Sequence, residues 1–363
     1  MKTRQFFLVK LITISLLFTP FLSLGAETSF TLIYSSNTLG EVQPHCCPET
    51  GAVGTGGLGK RAHYIKTVRE EVKNLLILDG GDAFIFDPPT SEKESEKSRK
   101  KAEFVLKLYE KMGYDALNMG DTDLSLGINY LKNLQKYSKM QFISSNLKDK
   151  KTKNPIFKPY LIKVANGSRI GIIGLLTPIV PPYWYKEMEG CFIEDPMKTA
   201  IEIINGPLHN CDHIIILAHL SSSEIESLAN RISKTLIIIG GNDRSFIFPK
   251  KINQSIWVQT DPLGYRIGRM NLRLEKGSSE FVDVGARSKL QKNIEEIQKL
   301  IDNPQHGKEV KSLIKLRETL SEQKKNLPEA EGKNAYENHL TYLHQGMKSD
   351  AEIEELIAAH TND

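Results

Sequence analysis

Five times along this sequence an apolar run gives way to a short loop that delivers an Asn, an Asp or a His. LIYSS leads to Asn37, LLILDGG to Asp82, ALNMG to Asp121 and Asp123, IIILA to His219, and LIIIGG to Asn242 and Asp243. Amphipathic stretches alternate with these runs over residues 29–287. Strands that are apolar almost throughout need cover on both faces, so the alternation predicts buried sheets flanked by helices, an α/β fold. Ligand sites of open α/β sheets form outside the carboxyl ends of the strands. Loops that bring hard oxygen and imidazole donors to those ends point to a divalent metal site.

Local patterns fill in the rest. Residues 58–72 read as a helix with Leu58, Ala62, Ile65 and Val68 on one face, and Lys60 and Arg61 as its solvated side. Residues 97–112 read as a charged helix stopped by Gly113. Asn166-Gly167 between two apolar runs predicts a tight β-hairpin. From residue 288 the period changes. Leu290, Ile294, Ile297 and Ile301 repeat at helical spacing, a break follows at Asn303-Pro304, and a second helix spans about 308–325, forming an αα-hairpin. A last helix opens at Ser349-Asp350. The division is therefore 1–26, 27–287 and a helical extension at 288–363, the last read as a surface for packing or association.

Residues 1–26 have a basic start, an apolar stretch and small residues at Gly25 and Ala26, the pattern of a secretory signal peptide. No later run is long and apolar enough to span a bilayer, so the mature chain is expected outside the cytoplasm without a membrane span, periplasmic in a Gram-negative source. The net charge is +4, and Lys2, Arg4 and Lys10 fall in the first ten residues. The near-neutral remainder offers no basic footprint for a nucleic-acid polymer. An oxidising compartment permits disulfides among Cys46, Cys47, Cys191 and Cys211. Cys46 and Cys47 read as a reactive or ligating pair, and Cys191 and Cys211 as either a disulfide or two buried thiols. There is no C-x-x-C-H, hence no haem attachment motif.

In order, LIYSSNTLGEVQP, GGLGKRAHYIKTVREE, LLILDGGDAF, YDALNMGDTDLSLG, FISSNL, IGIIGLLTP, IIILAHLS and IIIGGND resemble the calcineurin-like metallophosphoesterases, in the 5′-nucleotidase/UDP-sugar hydrolase branch. The resemblance spans residues 30–287. It implies a four-layer α/β/β/α sandwich with a two-metal site, and hydrolysis of phosphoric esters. The segment after YSSNTLGE resembles that of an exported subgroup with a Cys- or selenocysteine-containing motif. The family's usual C-terminal base-stacking domain is not expected from residues 288–363.

Matched residue by residue, the site is altered. The family's opening Asp-x-His reads Asn37 and Leu39, its bridging Asp is Asp82, and its Asn-His-Glu reads Asp121, Thr122 and Asp123. Its next histidine is His219, and its closing motif reads Asn242, Asp243 and Arg244. The resemblance thus gives one metal the set Asn37, Leu39, Asp82 and Arg244. Leu39 has no donor atom and a guanidinium repels a cation, so this seat is expected to be lost, with Arg244 filling its volume. The other metal keeps Asp82, Asp121, His219 and Asn242, a mononuclear set for Zn, Mn, Fe or Ca. Thr122 replaces the histidine acid and cannot donate a proton near neutral pH, so the catalytic residue is left unassigned.

Three readings stay open on the sequence. One is a single-metal hydrolase of phosphoesters or related sulfur esters. Another is a catalytically inactive protein that binds a small-molecule ester or a protein partner. The third is a thiol redox protein built on Cys46 and Cys47.

Overall fold

The computed structural model describes residues 28–45, 53–179, 188–234, 236–302 and 310–361. The stretch 1–26 and the Cys46–Cys47 pair lie outside the described residues. The chain runs β1 (Thr28–Ser35), α1 (Leu58–Glu71), β2 (Leu75–Asp79), α2 (Glu92–Met112), β3 (Ala116–Asn118), α3 (Asp121–Leu124), α4 (Ile128–Lys136), β4 (Gln141–Ile143) and β5 (Leu147–Asp149). It continues with β6 (Tyr160–Ala165), β7 (Ser168–Leu176), β8 (Cys191–Ile193), α5 (Pro196–Asn205), β9 (His213–His219), α6 (Ser222–Arg231), β10 (Leu236–Gly240), β11 (Ile247–Ile252) and β12 (Ser255–Gln259). It closes with β13 (Arg266–Leu274), β14 (Phe281–Asp283), α7 (Val284–Ile301), α8 (Val310–Lys325), β15 (Asn334–Tyr342) and α9 (Ala351–Thr361).

Two mixed sheets stack face to face. One has the order β14-β15-β13-β1-β2-β3-β4, the other β11-β12-β10-β9-β7-β6. Strand period 2 assigns the layers. Leu32 and Tyr34 of β1 meet Ile215 and Leu217 of β9 in the core between the sheets. Ile33 turns the other way, onto the core under α1, α2 and α9. Ile214, Ile216 and Ala218 of β9 face α5 and α6. The result is the expected four-layer α/β/β/α sandwich, and its strands are apolar on both sides because both sides are covered.

Local signals act as read. Ser91 caps α2 by accepting from the Glu94 amide, and Gly113 ends it in the left-handed conformation. Asn166 and Gly167, at φ 47° and 82°, form the tight turn between β6 and β7.

Two points differ from expectation, and a third decides between the two readings of Cys191 and Cys211. The segment 288–363 carries the αα-hairpin as α7 and α8, but it also supplies β15. That strand lies antiparallel to β13 from Arg266↔Tyr342 to Arg273↔Ala335 and parallel to β14. It completes a sheet instead of remaining a helical appendage. Lys60 and Arg61 are buried, not solvated. Cys191 and Cys211 are free buried thiols in separate cores, so no disulfide joins them. Among the described residues no helix is long and apolar enough to cross a membrane.

Candidate metal centre

Each donor sits where a strand stops. Asp82 follows β2, Asp121 follows β3 and His219 ends β9, so both sheets contribute. Their donor atoms all lie within 4.8 Å of one another. His219 Nε2 is 2.8 Å from Asp121 Oδ1 and 3.8 Å from Asp82 Oδ2. His219 and Asp82 are buried, and Asp121 is partly exposed.

The turn that presents Asp82 is strongly braced. Asp82 has φ 56°, a left-handed conformation that costs a non-glycine residue energy and persists only where its surroundings hold it. Asp123 provides that hold. Its carboxylate accepts from the amides of Asp82, Phe84 and Gly120, each at 3.0 Å. The Thr122 amide donates to Asp82 Oδ1 at 2.9 Å, and the Thr122 hydroxyl donates to the Ile85 carbonyl at 3.2 Å. Glycines make the close approach possible. A Cβ at Gly120 would overlap Asp82, and one at Gly241 would come within 2.6 Å of the Gly80 carbonyl and 3.2 Å of His219 Nδ1.

Crowding sets the protonation. Burial and the neighbouring Asp82 push the Asp123 carboxyl up to about 8. Burial raises Asp82 to about 6 against the pull of His219. Burial would lower the His219 imidazole, but Asp82 and Asp121 outweigh it and carry His219 up to about 9. The hydrogen bond and charge of His219 in turn hold Asp121 below the usual carboxylate range, against its burial. The imidazolium is thus the cation that lets the carboxylates stay together. A divalent ion fits the same need, and two carboxylates with an imidazole are a suitable donor set for it.

The remaining expected residues fall around this trio. Asn37 is fully buried with φ 53°, its amide bonded to the Gly81 carbonyl at 2.9 Å, and among the described residues neither polar atom of its side chain has a hydrogen-bond partner. Leu39 is fully buried, with its amide on the Asp82 carbonyl at 2.8 Å. Asn242 is half-buried next to Gly241, on the loop that follows β10. Arg244, which the resemblance gives to the family's other metal seat, lies on the same loop. It is exposed, with its guanidinium carbon 4.9 Å from the centre of the Phe86 ring, an arrangement that keeps the charge in water.

A buried network behind the site went unnoticed in the sequence. Arg61 donates to Thr38 Oγ1 at 2.9 Å and to the Tyr109 hydroxyl at 3.0 Å. Tyr109 donates to Asp79 Oδ2 at 3.1 Å, and Asp79 Oδ1 accepts from the Gly81 amide at 2.9 Å. Asn118 links the sheets by donating to the carbonyls of Leu175 and Leu217 at 3.0 and 3.2 Å. Polar residues inside otherwise apolar strand ends, LLILD and ALN, were the available signal.

No protein-family model matches the chain. A 2′,3′-cyclic-nucleotide 2′-phosphodiesterase/3′-nucleotidase from Salmonella typhimurium is 28% identical over 202 residues, covering 52% of this chain and 31% of that protein. A 5′-nucleotidase from Vibrio parahaemolyticus is 29% identical over 178 residues, covering 47% of this chain and 30% of that protein. The solved calcineurin-like phosphoesterase YfkN from Bacillus subtilis superposes with a TM-score of 0.64 at 18% identity, over 93% of this chain and 98% of that one. These similarities support the 5′-nucleotidase branch of the calcineurin-like metallophosphoesterases, over the N-terminal domain of those relatives. This metallophosphoesterase-fold chain spans about a third of the length of these two relatives.

Proposed function

We propose that this chain is an exported, 5′-nucleotidase-like protein that holds one divalent cation between Asp82, Asp121 and His219 and hydrolyses a phosphoric ester or a related sulfur ester. The observation that carries the reading is the meeting of those three donors within 4.8 Å, from strand ends of both sheets. Export rests on the basic and apolar opening of the sequence. The imidazole favours Zn, Mn or Fe over Ca, which prefers oxygen alone. Asn242 is the candidate for a fourth ligand, through its amide oxygen.

A cation bound there supplies Lewis-acid polarisation of an ester oxygen. The chain's own residues fix the geometry. Asp123 and the Thr122 amide hold Asp82, while Gly81 and Gly241 leave room for the His219 ring. Thr122 gives no acid for the departing oxygen, so the reading favours esters whose leaving group needs no protonation. Metal analysis of the purified protein tests the proposal. One ion per chain, absent in Asp82→Ala, is expected, together with hydrolysis of bis-p-nitrophenyl phosphate that the same substitution abolishes. Absence of stoichiometric metal in the native chain ends it.

A second reading, a binding protein without turnover, is favoured by two observations. Leu39 is sealed in the interior at a family ligand position, and the Thr122 hydroxyl is already committed to Ile85. Metal-loaded protein that binds a phosphate ester and leaves it intact supports this reading over hydrolysis.

A further inference from the structure

We infer that Arg244 grips the anionic group of the ligand at this site, supplying positive charge where the altered metal centre has lost one of its two cation seats. The inference deepens the proposed function and rests on its metal-site reading. Two carboxylates, Asp82 and Asp121, meet a single imidazole, His219, with all donor atoms within 4.8 Å. A phosphate or sulfate group entering such a place needs more positive charge than one ion gives.

The placement of Arg244 answers that need. Its loop follows β10 and lies against the Asp82 turn, where a Cβ at Gly80 would come within 3.0 Å of the Gly240 carbonyl. Phe86 belongs to the segment that leaves the same turn. Its neighbours Phe84 and Ile85 are bonded to Asp123 and Thr122. The contact of Arg244 with the Phe86 ring therefore joins the loop after β10 to the segment leaving the Asp82 turn.

The charge is also uncommitted. Arg244 is exposed and forms no ion pair with the described residues. A guanidinium presents its N–H donors as a planar fork suited to two-point capture of an oxyanion.

The backbone that carries it is tethered on both sides. Asp243 Oδ2 accepts from the Ser222 amide at 3.0 Å, and the buried Gln259 side chain donates to the Ser245 carbonyl at 2.7 Å. An arginine between two anchored residues loses less freedom on binding, which favours affinity.

The test is titration calorimetry of the full chain, loaded with Mn, against inorganic phosphate. Arg244→Met keeps the length and the apolar contact with Phe86 but removes the charge. It is expected to weaken phosphate binding about tenfold or more, with Arg244→Lys recovering part of the loss. Metal content is measured on each variant and should equal that of the native chain. Phosphate affinity of Arg244→Met within about twofold of native, or native protein that binds no phosphate, overturns the inference. Metal content alone decides the reading beneath it, so the two can fail separately.

Discussion

The Nε2 atom of His219 stands 2.8 Å from Oδ1 of Asp121, although 98 positions separate the two residues in sequence. His219 ends β9 of one sheet and Asp121 opens α3 just beyond β3 of the other, so the contact links the two layers at the site and not merely within one loop.

His219→Ala should remove the response to metal. A ligand at a hundred times its dissociation constant stabilises the native state by about 2.7 kcal/mol. Thermal unfolding of the native chain with Zn or Mn should show that rise, and the variant should lose most of it. An equal upward shift of Tm in both proteins refutes the assignment of His219.

Gly120→Ala tests the cradle. The residue sits in ordinary extended backbone at φ −93°, so the added methyl acts through space and not through strain of its own torsion. The methyl would overlap the Asp82 carboxylate and displace it. Metal affinity should drop about 10- to 100-fold, the range seen when groups supporting a ligand are disturbed. Stability should fall by about 1–3 kcal/mol, as in overpacked interiors. Metal titration beside urea unfolding separates the two effects.

Arg61→Met should cost about 3–5 kcal/mol, because it strips a buried charge from a network and leaves the remaining polar groups short of a partner. Tyr109→Phe removes only the hydroxyl between Asp79 and Thr38 and should cost about 1–3 kcal/mol. The two side chains touch, so the double variant should cost less than the sum. Urea unfolding of the three variants checks all three values.

How far the sequence could be read follows from the range of each signal. The strands of the two sheets, the Asn166-Gly167 turn and the donors Asp82, Asp121 and His219 announce themselves through local patterns of apolar runs and polar ends. Arg61 had a local signal too: it lies three residues after Leu58 and four before Ile65, on the buried face, yet its charge suggested solvent. Strand β15 had none. NAYENHLTY is half polar and becomes a strand because β13 and β14, earlier in the chain, offer it hydrogen bonds on both sides. The direction of Arg244 was likewise invisible, since it depends on Phe86, a residue of a different loop.

Acid should loosen the protein through Glu194, which follows β8. Hydrogen bonding from Lys148, helped by Lys198 and Thr199 and opposed by burial, brings its carboxyl down from an ordinary 4.5 to about 2. The Lys198 and Thr199 contacts are both 3.1 Å long. A depressed native pKa means that the unfolded chain takes up the proton first as pH falls. The stabilisation is therefore complete above about pH 5, shrinks below 4.5, and is gone once the pH passes about 2 and both states are protonated. Glu194→Gln cannot titrate, so unfolding free energies of the native chain and the variant should converge across that interval. A difference between them that stays constant from pH 6 to pH 3 would show that the Glu194 carboxylate makes no special contact in the folded state.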